Sequence, residues 1–135
     1  MSQIQSLHKQ AMDLAEAAAV ARLRGALELA AQLTRQAFEQ ETQAAALIAS
    51  ALDAEPTRSV LHRSAASLAI ECGELRMAER LIATALSGNP PAEIAEELKD
   101  LFIQINLSQY LKRQGIHIDI KELRGLVNQL HSSRD

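Results

Sequence analysis

Aromatic residues are almost missing from this chain: one Tyr, two Phe and no Trp leave the core to Ala, Leu and Ile. A core of such small residues requires helices that approach one another closely. Outside residues 116–120 there are no runs of β-branched residues, which argues against a sheet. The expected class is therefore all-α. A single cysteine excludes an internal disulfide. No apolar run approaches the roughly 20 residues of a membrane span, and no signal-like segment stands at the N-terminus. A soluble protein of the reducing cytoplasm is expected. The net charge of −3, with both signs interspersed, offers no general attraction for nucleic acid or an anionic membrane.

Motifs that carry chemistry are equally scarce. His8, His62, His117 and His131 lie far apart with no HxxxH or HExxH spacing, so neither a metal nor any other cofactor is expected. There is no Gly-rich phosphate loop and no GxSxG elbow. Cys72 falls on an apolar helix face, where a buried small hydrophobe is the expected role rather than a nucleophile. The expectation is a protein that is not an enzyme.

What the sequence does contain is helical periodicity. At 135 residues it has room for one modest core. Leu61, Ala65, Leu68, Ala69 and Cys72 form one apolar stripe, and Leu75, Ala78, Leu81, Ile82, Ala85 and Leu86 form another. Gly73 stands between them and Pro90 follows, which reads as a helical hairpin. Upstream, Ile4, Leu7, Ala11, Leu14, Ala15 and Ala18 trace a helix ending near Gly25. A periodic run from Leu27 to Leu52 then predicts a second helix over residues 26–53, about 40 Å long at 1.5 Å per residue. The alternative is a break at the polar run 39–43, but those residues have none of the chemistry of a turn.

Ala66, Ala69, Gly73, Ala78, Ala85 and Pro90 together resemble a tetratricopeptide (TPR) repeat over residues 59–92. Pro56 precedes Pro90 by 34 residues, the period of that repeat, and a degenerate unit precedes the good one. His62 stands where the family usually has a large aromatic, and Leu75 where it has the turn Tyr. The resemblance implies antiparallel hairpins stacked as an α-α superhelix over residues 1–115. It also implies a non-catalytic interaction module, an adaptor or regulatory subunit. Its groove positions carry over to Val60, Arg63, Ser67, Ile70 and Glu71. A self-assembling helical protein with no peptide ligand is the alternative.

Arg58, His62 and Arg63 form a basic cluster at the start of the third helix, where cations oppose the helix dipole and need an anionic neighbour. That neighbour is either internal, such as Asp53 or Glu55, or an acidic protein or peptide partner. Asn89 and Pro90 are placed to start a covering helix that ends before Gly115. Residues 116–135 then read as a linker and a short amphipathic helix, with Asp119 as N-cap, Glu122 completing a capping box, and Leu123, Leu126, Val127 and Leu130 on one face. A short helix of this kind needs a surface to lie on. The long second helix would overhang two hairpins, so a homodimer is expected through Phe38, Ala45, Ile48 and Leu52.

Overall fold

The computed structural model describes residues 2–132 and is built from six helices: α1 (Gln3–Leu23), α2 (Leu27–Ile48), α3 (Thr57–Glu71), α4 (Leu75–Leu86), α5 (Ala92–Arg113) and α6 (Ile120–Ser132). No strand occurs among the described residues, and residues 116–119 form an irregular connection. The chain is all-α, as its composition requires.

Three helix pairs share one device. The amide of Ala26 donates to the carbonyl of Ala21, that of Glu74 to Ala69, and that of Ile116 to Leu111; the preceding glycine amides donate to Arg22, Ile70 and Lys112. This is the same paired closure at the end of α1, α3 and α5, with Gly25, Gly73 and Gly115 at φ of 79°, 76° and 82°. A side chain in that region of φ would crowd its own backbone, so glycine is what lets each helix stop and the chain reverse. The chain is thus three consecutive hairpins, α1–α2, α3–α4 and α5–α6, and the two helices of each are packed on one another.

Alanine sets the spacing between helices. Ala11, Ala18 and Ala21 of α1 are buried, as are Ala30, Ala37, Ala44 and Ala45 of α2. Ser2 and Gln5 close a capping box at the start of α1, which satisfies two of the amides a helix leaves open there. Helix α3 is the centre of the molecule, packed against α2, α4 and α5, and it buries residues on most of its sides. Leu81, Ile82 and Ala85 of α4 and Leu98, Leu101 and Ile105 of α5 complete the same core. Helix α6 packs on α5 and buries Leu123, whereas Leu126 and Leu130 are exposed. The Val127 side chain lies outside the described residues.

Several expectations are corrected here. Helix α2 runs unbroken through the polar stretch 39–43, but it stops at Ile48 instead of residue 53. Its end coincides with a long-range cap: the Arg58 Nε donates to the carbonyl of Ala49 at 2.8 Å. Nothing in the local sequence announces that stop. The second half of the shortened helix is covered within the chain, where α2 packs on α1 and α3 and buries Ala44, Ala45 and Ile48. Phe38, Ala45 and Ile48 are buried in the chain's own core, and only Leu52, in the loop beyond, is 56% exposed. Of the four residues expected at a dimer contact, Phe38, Ala45 and Ile48 are therefore taken up inside the chain. The start of α5 also differs, with Pro91 rather than Asn89 at the capping position and no side-chain cap.

Candidate functional site

The expected basic cluster is an internal structural knot. Arg58 and His62 are 1% and 2% exposed. Besides Ala49, the Arg58 guanidinium reaches the carbonyls of Thr84 (2.9 Å) and Ala85 (3.4 Å) in the last turn of α4. One cation therefore faces the C-terminal ends of α2 and α4, where the helix dipoles are negative. The anionic neighbour that Arg58 required is backbone, not a carboxylate or a partner. Glu55 caps α3 by accepting from the Ser59 amide (2.9 Å) and hydroxyl. His62 donates from Nδ1 to the Arg58 carbonyl at 2.7 Å. Burial pushes its pKa down, and the nearby Arg58 charge adds to that, against the raising effects of the hydrogen bond and of Glu55. Arg63, half-buried, pairs with Glu97 of α5 at 2.8 Å.

Of the five groove positions, Arg63 pairs with Glu97 of α5, Val60 and Ser67 are half-buried, and Ile70 and Glu71 line an opening. That opening is a cleft of about 830 Å³ between the first two hairpins. Its apolar wall is made by Leu27, Ala30 and Ala31 on the first half of α2, facing Ile70 at the end of α3. Arg22, Arg35, Glu71 and Asp119 bring both signs of charge to the lining. Cys72 and Gly73 also line the cleft.

The wall follows from helix geometry. Positions 27, 31 and 34–35 fall on one side of α2 at steps of three and four. Thr34, whose hydroxyl would otherwise be orphaned there, donates to the Ala30 carbonyl at 2.9 Å. Arg35 ties the two hairpins together, donating to Glu74 at 3.0 Å and to the Cys72 carbonyl at 3.4 Å while its guanidinium lies 5.8 Å from the Phe38 ring centroid. The Cys72 thiol has its pKa raised, chiefly by burial, with the Arg35 charge opposing. It is therefore protonated at neutral pH and a weak nucleophile.

Sequence reasoning placed the groove along α3 alone and missed the α2 wall. Leu27 was expected on the buried stripe but is 66% exposed, and it is this exposure that makes the wall apolar. A second polar feature was also missed. His8 of α1 donates from Nδ1 to both carboxylate oxygens of Glu41 (3.0 and 2.9 Å), and Glu41 is fully buried within the α1–α2 seam. The periodicity around Glu41 was a usable signal, since it falls on the apolar side of α2.

Among the described residues no group of three or more His, Cys, Asp or Glu side chains gathers as metal ligands would, and no helix is long and apolar enough to cross a membrane. No protein-family model, curated protein or solved structure matches the chain.

Proposed function

We propose that this protein is a non-catalytic interaction module of TPR-like architecture, and that its partner is a short protein segment held in the cleft between α2 and α3. The observation that carries the reading is the cleft itself, about 830 Å³ in volume with an apolar wall and charged residues of both signs. Apolar contact supplies affinity in such a site, and the charges fix orientation and exclude wrong partners. The repeated glycine closure of α1, α3 and α5 supports the resemblance to stacked hairpins. A protonated Cys72 favours binding over covalent chemistry. Arg22 on the cleft lining suits a segment carrying at least one carboxylate.

The test is a blocked cleft. Ala31 is exposed on the α2 wall, so Ala31→Trp fills the opening without disturbing the core. Tagged wild-type protein is expected to retain a specific partner that Ala31→Trp loses, with equal helical content in both. Equal retention by the two proteins sinks the assignment of the cleft.

A further inference from the structure

The last hairpin carries an exposed apolar line. Ile103, Leu107 and Tyr110 of α5 recur at steps of four and three, which sets them in one line along the helix. They are 53%, 39% and 50% exposed although α6 is packed on the same helix. Seven of the thirteen exposed large apolar residues among those described lie between Phe102 and Leu130. In stacked helical arrays the terminal unit needs a polar outer face to remain free in water. This one presents an apolar line instead.

Charge along α5 identifies what fits there. Glu93, Glu96, Glu97 and Asp100 crowd its first half, against Lys99 alone. Residues 101–118 contain no acid, and Lys112 and Arg113 stand in the last turn. Two such helices laid parallel would set acid on acid and base on base. Laid antiparallel, each acidic end meets the other's basic end. The apolar line has the same symmetry: with a two-fold axis between Asn106 and Leu107, Ile103 falls opposite Tyr110 and Asp100 opposite Arg113. A surface that is its own complement in both respects is the signature of an isologous contact.

We propose that a second copy of this chain docks on the exposed face of α5, the two α5 helices running antiparallel about an axis at residues 106–107. This contact uses a different helix from the cleft between α2 and α3, so its loss and the loss of partner capture are separable in experiment.

Light scattering of the eluting full-length chain at micromolar concentrations tests it. The wild type is expected to run as a dimer, and Leu107→Glu as a monomer with unchanged helical content, since position 107 is exposed in the single chain. Arg113→Glu is expected to weaken the dimer several-fold, and adding Asp100→Arg to restore it. Register is read by cysteine pairing under mild oxidation. Leu107→Cys should cross-link to itself, and Ile103→Cys should cross-link to Tyr110→Cys in a mixture but not to itself. A wild type that stays monomeric at high micromolar concentration overturns the proposal. So does a dimer indifferent to Leu107→Glu, or one in which Ile103→Cys preferentially pairs with itself.

Discussion

Arg58 occupies the space that a side chain at Gly88 would need. A Cβ built on Gly88 overlaps the Arg58 Nη1, with the guanidinium carbon at 3.1 Å. The glycine is not there for its backbone freedom, since its φ is not positive. It leaves room for a cation that closes the ends of two helices at once, so the α4–α5 connection and the α2 terminus depend on the same side chain.

Gly88→Ala should therefore displace the guanidinium and cost about 1–3 kcal/mol, the usual range for overpacking. In an Arg58→Ala background the same substitution should cost little, because the clash is gone. Thermal or denaturant unfolding of the four proteins in this double-mutant cycle measures the coupling. Additive effects would mean that Arg58 and Gly88 act independently.

The His62 site predicts a direction for stability against pH. The folded-state pKa is lowered from the ordinary 6.5, with burial as the main cause. Below about pH 6.5 the unfolded chain takes up a proton that the folded chain refuses, so this contribution is complete above that pH and lost as pH falls toward the folded value. His62→Gln removes the titration. The stability difference between wild type and His62→Gln should thus shrink as pH falls from 7.5 to 5. A difference that grows on acidification reverses the sign and contradicts a buried neutral ring.

The His8–Glu41 hydrogen bonds join a part-exposed ring to a fully buried carboxyl group, so losing the partner should matter more than the net worth of the contact. His8→Ala leaves the Glu41 carboxylate without its partner in the α1–α2 seam and should cost at least ~1–3 kcal/mol. Replacing both, as His8→Leu with Glu41→Met, should recover most of that loss, because apolar replacements of similar volume often match a buried pair. Urea denaturation of the single and double variants separates the two outcomes.

The helices and their apolar faces were legible because 3.6-residue periodicity is written locally: Ala69, Ala78 and Ile82 are buried where their spacing puts them. Gly25 and Gly73 were legible as turns for the same reason. The end of α2 was not, because a residue nine positions away supplies the cap. The α2 wall of the cleft was not legible because it depends on how one hairpin leans on the next, and neither the separation of α2 from α3 nor the exposure of Leu27 is fixed by either helix alone. Whether Arg58 meets an internal neighbour or an acidic partner stayed open because sequence shows charge and not the carbonyls that meet it.

Cys72 offers a chemical readout of the cleft. Its thiol pKa is raised from the ordinary 9.0, first by burial and further by Glu71, Glu74 and Glu39, while Arg35 pulls it down. Alkylation rate follows thiolate fraction, so the pH profile of Cys72 modification should have its midpoint above 9.0. Arg35→Ala removes this opposing charge and should move that midpoint higher still. The rate alone would confuse charge with access, since Arg35 also bonds the Cys72 carbonyl; the midpoint responds to the charge. A segment bound in the cleft should slow modification at every pH without being consumed. If the midpoint instead lies well below 9.0, Cys72 is an activated thiolate on the cleft lining, and covalent chemistry becomes the better account of the site.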